Sequence, residues 1–273
     1  MTDSAPSSGI PSPAVLVERT GTAVAVVRLN RPEGRNALTR ELKTALRDAL
    51  EEVADDTTVR AVVLASSGRA FCVGQDLREH AEALRGDMSA ALTTVPEHYN
   101  RIAAALATMP KPVVAAVNGT CVGAGLGFAL ACDLRIAAAG VSFATAFAGI
   151  GFGGDSGLSG TLAHAVGASR ATELLMLGEP FSAEAARDWG LVREVVAPED
   201  VDGTALALAE RLAAGPTRAY AEIKRAVALG TVSPLRDVLE HEAAAQARLG
   251  STEDHRNAVE AFLAKEKPTF QGR

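Results

Sequence analysis

The sequence predicts an α/β fold with mainly parallel strands, followed by a helical region, and three observations carry that prediction. Apart from Arg28 and Arg60, the runs at 24–29, 59–65 and 113–117 are apolar rather than alternating, as strands covered on both faces are. Each leads through a turn-rich stretch into a helix-like pattern, the alternation that builds parallel sheets. Beyond about Ala168 the strands give way to Ala-rich amphipathic segments.

In chain order, the β-branched run 24–29 ends at the turn residues Asn30-Arg31-Pro32-Glu33-Gly34, and a helical periodicity fills 37–53. The strand 59–65 passes through a glycine-bearing loop to a helix at about 90–107. The strand 113–117 passes through a denser glycine loop into a helix at 126–131. Helices are then expected at 170–177, 183–189, 204–214, 217–229, 234–249 and 252–265, packed on the core or on a neighbouring subunit. The expected division is a disordered Ser/Pro leader at 1–13, a core at 14–200 and a C-terminal helical region at 201–273.

Bulk properties exclude several functions. With 48% hydrophobic and 22% charged residues the chain has the balance of a folded protein, not of a disordered one. A net charge of -6 gives no general attraction for nucleic acid or for an anionic membrane. Cys72, Cys121 and Cys132 are odd in number and lack Cys-x-x-Cys spacing, so neither a disulfide framework nor a zinc site is expected, and a reducing cytoplasm fits. The leader has no charged head before an apolar stretch, unlike a signal peptide. The 21 uncharged residues between Lys111 and Asp133 approach the length of a membrane span, but Asn118 and glycines 119, 123, 125 and 127 interrupt them. They are better explained as a buried strand, a tight turn and a buried helix.

Three constellations could carry chemistry. In Arg69-Ala70-Phe71-Cys72-Val73-Gly74-Gln75-Asp76-Leu77 a strand edge meets a glycine, and Asp76 stands where a helix N-cap belongs. In Asn118-Gly119-Thr120-Cys121-Val122-Gly123-Ala124-Gly125-Leu126-Gly127 small residues expose backbone amides at a helix start, where developing negative charge is favoured. A dinucleotide loop would need its third glycine at Phe128 and an acid about 20 residues later, and both are missing. In Gly149-Ile150-Gly151-Phe152-Gly153-Gly154-Asp155-Ser156-Gly157 the last four residues resemble a trypsin-like nucleophile segment, without its disulfide-rich β context. On its own, Asp155 is as well explained as a cap for a helix at 156–166.

Taken together, these segments resemble the crotonase (enoyl-CoA hydratase/isomerase) superfamily over nearly the whole chain, from about Val15 to Arg273. The order Leu29-Asn30-Arg31-Pro32 with Asn36-Ala37-Leu38, then AFCVGQDL, VNGTCVGAGLGFALACDLRIA and FSAEAARDWGLVREVV, closing on AFLAKEKPTFQGR, carries the likeness. The resemblance implies a spiral of repeated ββα units with a C-terminal helical region that forms trimers or pairs of trimers. It implies an acyl-CoA thioester substrate, with no metal and no cofactor beyond the CoA of the substrate itself. Its oxyanion-hole amides fall on Gln75 and Ala124, where a negative φ at Ala124 would let alanine replace the usual glycine. CoA is expected near Arg35, Ala37 and Leu38, with Asp76 and Leu77 toward the adenine, Gly123 in the loop, and Phe262 and Lys265 by the phosphates of the same or an adjacent protomer.

The chain departs from the hydratases of that family at two positions. Their paired glutamates fall on Gly127 and Phe147, neither of them acidic. Asp155 instead matches the aspartate of isomerases resembling the ring-epoxide phenylacetyl-CoA isomerase. A double-bond shift needs one base that takes a proton from one carbon and returns it to another, so a single carboxylate suffices. The expected activity is isomerisation of an enoyl-CoA through an enolate held by the Gln75 and Ala124 amides, with Asp155 as proton carrier. The alternatives are an atypical hydratase, an Asp-nucleophile hydrolase or dehalogenase, and an acyl-CoA binder without turnover.

Overall fold

A computed structural model describes residues 12–86 and 91–273. Two sheets organise them. The larger has the order β1 (Val15–Arg19), β2 (Val24–Leu29), β3 (Ala61–Ser66), β5 (Val113–Val117), β7 (Leu134–Ala138), β10 (Glu194–Val196). Within this sheet, among the described residues, the β1–β2 pair is antiparallel and the other pairs are parallel. Every residue of β3 and β5 is buried, which is why their sequences are apolar but for Ser66 at the end of β3. The smaller sheet has the order β4 (Ala70–Cys72), β6 (Thr120–Val122), β8 (Ser142–Ala144), β9 (Phe181–Ser182).

The chain winds between the sheets as a spiral. β3, β5 and β7 each enter the larger sheet and are followed by β4, β6 and β8 in the smaller one. Helices then return the chain: α2 (Leu77–Gly86) and α3 (Asn100–Thr108), then α4 (Ala124–Ala131), then α5 (Leu158–Val166) and α6 (Ala168–Leu177). These are the repeated ββα units that the resemblance implied. The strands of the smaller sheet have two or three residues each, too few for any periodicity, and the sequence did not announce them.

Helix α1 (Arg40–Asp55) shows how a helix is fixed here. Thr39 caps it by accepting from the Leu42 amide at 3.2 Å, and Leu42, Leu46, Leu50 and Val53 bury one stripe against the core. At its far end the buried Lys111 ammonium donates to the carbonyls of Val53 and Asp56 at 2.9 and 2.8 Å. The helix starts three residues later than the expected 37, because Asn36 has φ +52° and Leu38 forms a parallel bridge with Gln75. The helix expected at 90–107 becomes regular only at Asn100, after a π-helical turn at Val95–Tyr99; its expected first residue lies outside the described ones.

Past α7 (Ala183–Asp188), helix α8 (Val201–Ala213) lies on the larger sheet, burying Val201, Ala205 and Ala209. It belongs to the packing of the core, although the sequence grouped it with the tail. The later helices α9 (Thr217–Gly230), α10 (Leu235–Gly250) and α11 (Glu253–Ala264) leave Ile223, Val227, Leu239, Val259 and Phe262 exposed. Most of the expected leader, residues 1–11, lies outside the described residues. Among those described, no helix is long and apolar enough to cross a membrane.

Asn36 ties the first loop to the spiral. Its Oδ1 accepts from the Arg31 amide at 2.9 Å, and its Nδ2 donates to the carbonyls of Ser67 and Ala70 at 2.9 and 2.8 Å, with the residue wholly buried. Asn36→Ala removes three buried hydrogen bonds and puts alanine in a left-handed conformation. Urea denaturation is expected to show a loss of about 3 kcal/mol. A loss under about 1 kcal/mol would mean that the loop is held elsewhere.

Candidate active site

The first component is the turn between β4 and α2. Gly74 has φ +82°, and the following peptide is pinned by the Leu38–Gln75 bridge. The Leu38 amide donates to Gly74 O at 2.8 Å and Leu38 O accepts from the Asp76 amide at 3.3 Å. Asp76 then caps α2 as expected, its Oδ1 accepting from the amides of Arg78 and Glu79 at 3.1 and 3.2 Å. Its other oxygen is paired with Arg31 at 3.2 Å.

The second component is the turn between β6 and α4. Gly123 has φ 57° and ψ -126°, a conformation open to glycine alone, and it sends the chain directly into helix. Ala124 is the first helical residue and keeps a negative φ, so its methyl group is accommodated without strain. The two turns touch: a Cβ added at Gly74 would lie 3.7 Å from the Ala124 nitrogen. Among the described residues neither the Gln75 amide nor the Ala124 amide has an acceptor; the latter is one of the free N–H groups that every helix start leaves.

The third component follows β8. Asp155 precedes Ser156 and Gly157, both at positive φ, and its carboxylate accepts from Ser156 Oγ at 2.7 Å. Its side chain caps no helix, since Gly157 stands at the start of α5 without a side-chain cap. Burial pushes the Asp155 carboxyl above its ordinary range, and the Ser156 hydroxyl only partly opposes this.

These components meet in one cavity of about 490 Å³. Of the residues singled out from sequence, Gln75, Leu77, Gly123, Ala124 and Asp155 line it, whereas Arg35, Ala37, Leu38, Asp76, Phe262 and Lys265 do not. Ala37 and Leu38 are buried, and both backbone polar groups of Leu38 serve the bridge. Arg35 is exposed at φ +54°, Phe262 is 80% exposed, and Lys265 ends α11 in a left-handed turn. Asp155 is the one carboxylate on the wall among the described residues.

The two non-acidic positions have physical reasons. A Cβ at Gly127 would stand 2.6 Å from Ser156 Cβ, so the Asp155–Ser156 turn occupies the space a larger side chain would need. Phe147 is buried and forms part of the cavity wall. Thr94, Tyr99 and His80, which the sequence did not single out, also line the cavity, His80 edge-to-face with Phe152 at 6.0 Å. Tyr99 sits in a helical pattern where an aromatic is ordinary core, so nothing local marked it.

The family described as enoyl-CoA hydratase/isomerase matches residues 19–273. The 1,2-epoxyphenylacetyl-CoA isomerase of Escherichia coli K12 is 38% identical over 250 residues, covering 92% of this chain and 95% of that one. A Rhodobacter capsulatus protein named as a probable enoyl-CoA hydratase is 41% identical over 251 residues, with the same two coverages, 92% and 95%. A crystal structure from Mycobacterium abscessus, described there as an enoyl-CoA hydratase/isomerase, superposes with a TM-score of 0.91 at 52% identity, covering 95% of this chain and all of that one. The fold, the glycine turns and these likenesses agree, and the chain belongs to the enoyl-CoA hydratase/isomerase family.

Proposed function

We propose that the protein shifts a double bond in an enoyl-CoA or a related ring-bearing acyl-CoA, through an enolate held by the Gln75 and Ala124 amides, with Asp155 carrying the proton. The supporting observation is that two amides which have no acceptor among the described residues share one cavity wall with one carboxylate of those residues, Asp155. The E. coli relative named as an isomerase supports a ring-bearing acyl group.

In this reading the thioester oxygen sits against the two amides. Asp155 as carboxylate takes a proton from the α carbon; the C–H electron pair moves into the carbonyl, and negative charge collects on the oxygen. Each preorganised donor lowers the barrier by roughly 3 to 4 kcal/mol. The carboxylic acid then returns the same proton to the far end of the conjugated system, which re-forms the thioester with the double bond moved. A carboxyl raised by burial is suited to both halves of this exchange. Hydration would need a second group to activate water, and the positions that could supply it hold Gly127 and Phe147.

The acyl group is proposed to be apolar and uncharged. Leu77, Leu92, Val95, Phe147, Ile150 and Phe152 line the cavity, and no Lys or Arg does so among the described residues. For the CoA phosphates the exposed Arg35 and Lys265 are the proposed cations. The exposed apolar side chains of α9, α10 and α11 are assigned to contact with further copies of the chain, as a trimer or pair of trimers.

Asp155→Ala and Asp155→Asn are expected to lower turnover of 3-hexenoyl-CoA by about 10²–10⁴-fold while hexanoyl-CoA still binds. Crotonyl-CoA should keep its conjugated absorbance with the wild type. Full activity in either variant would remove Asp155 from the mechanism, loss of the crotonyl absorbance would favour hydration, and an acyl adduct on Asp155 by mass spectrometry would favour nucleophilic attack.

Burial also links Asp155 to stability. Its native carboxyl holds a proton to higher pH than in the unfolded chain, so the folded state loses stability as pH rises through the native pKa. Asp155→Asn is therefore expected to raise Tm at pH 7, with the gain closing once pH falls below the ordinary aspartate range. Wild-type kcat/KM should fall on the acid side around a pKa above that range. A variant that melts lower than wild type at pH 7 would show that the native site stabilises the charge.

A further inference from the structure

The amide proposed to hold the thioester oxygen belongs to a residue whose side chain is gripped from three directions. Gln75 Oε1 accepts from the Tyr99 hydroxyl and from Lys43 Nζ, the latter at 3.1 Å, while Gln75 Nε2 donates to Asp76 O at 3.2 Å. Both lone pairs of the oxygen are used, and the amide orientation agrees with every partner.

We propose that Lys43 and Tyr99 are positioning residues for the oxyanion hole, acting through the Gln75 side chain to aim the Gln75 backbone N–H. The inference rests on the oxyanion role given to that amide above. The peptide that carries this N–H is held at its Gly74 carbonyl by the Leu38 amide at 2.8 Å, and the side-chain clamp holds the Gln75 Cα at its other end, so the two together set the direction of the N–H. A donor contributes most when its direction is set before charge develops, and misplacement by about 1 Å can cost on the order of 10²-fold in rate.

Both clamp residues are buried. Tyr99 is 2% exposed and packs edge-to-face on Phe128, with ring centroids 5.8 Å apart. Lys43 is buried on α1, donates also to Thr94 Oγ1 at 2.7 Å, and stands 5.6 Å from the Tyr99 ring centroid. Burying an ammonium is unfavourable, and a fold alone could fill this volume with apolar groups. Here the ammonium and the phenol converge on one oxygen of the residue beside the reacting carbonyl. Tyr99 and Thr94 also line the cavity, so the same network reaches from α1 to the acyl wall.

The test reads the carbonyl directly. Hexanoyl-CoA labelled with ¹³C at the thioester carbon is bound to wild type, Tyr99→Phe, Lys43→Met, Gln75→Ala and Gln75→Ala/Tyr99→Phe, and the C=O stretch is recorded by infrared difference. In wild type the stretch should drop on binding. In each single variant the drop should shrink, and kcat for 3-hexenoyl-CoA should fall about tenfold with hexanoyl-CoA Kd changed less than about threefold. Adding Tyr99→Phe to Gln75→Ala should change nothing further, because the hydroxyl acts through the missing side chain. Tyr99→Phe keeps the ring packing, and Lys43→Met carries the same readout should that variant fold poorly. A wild type without any drop would overturn the oxyanion assignment and the clamp with it. A wild-type drop that persists in variants of unchanged kcat would overturn the clamp alone.

Discussion

The contact between the Gly74–Gln75 and Gly123–Ala124 turns is the constraint on which the rest depends. β4 and β6 are neighbouring parallel strands, with Cys72 beside Cys121, so their carboxyl ends open at the same sheet edge. Each then turns at a glycine of positive φ into its own helix. Helix α4 approaches β4 so closely that a Cβ at Gly125 would lie 2.6 Å from Cys72 O. The next parallel neighbour, β8, ends at Ala144 on that same edge, and the chain beyond it supplies Phe147 and Asp155. Successive turns of one spiral thus deliver an amide, a second amide and an acid to one place.

The chemistry that this arrangement favours follows from what surrounds the acid. Asp155 is partly withdrawn from water, and its one side-chain partner among the described residues is the neighbouring Ser156 hydroxyl. Ser156 also fills the space above Gly127, so the Asp155 turn and a bulky residue at 127 exclude each other. Presence of the lone aspartate and absence of an acid at 127 are therefore one steric fact. Phe147 extends the same tendency by walling the cavity with a phenyl ring. A drier pocket strengthens amide–oxyanion attraction and leaves less water to be activated.

Much of the fold was legible in the chain because its central strands are buried on both faces and its helices carry clear apolar stripes. Leu42, Leu46, Leu50 and Val53 announce α1 unaided. The smaller sheet was not legible, since β6 spans Thr120–Val122 and three residues have no period to detect. The left-handed Asn36 moved the α1 start, an effect of hydrogen bonds to Ser67 and Ala70 that lie more than thirty positions away. At the site, Gln75, Ala124 and Asp155 came from a resemblance of motifs, and their meeting in one cavity is a product of the spiral. Tyr99 and Lys43 stayed hidden because what distinguishes them is a shared partner, Gln75, far off in sequence.

The central claim is that two main-chain N–H groups converge on one carbonyl. A crystal structure with a bound, unreactive acyl-CoA thioester tests it most directly. The thioester oxygen is predicted within about 2.7–3.1 Å of both the Gln75 and Ala124 nitrogens, with the α carbon facing the Asp155 carboxyl. A thioester oxygen turned away from either nitrogen, or an acyl group bound outside the cavity, would contradict the account.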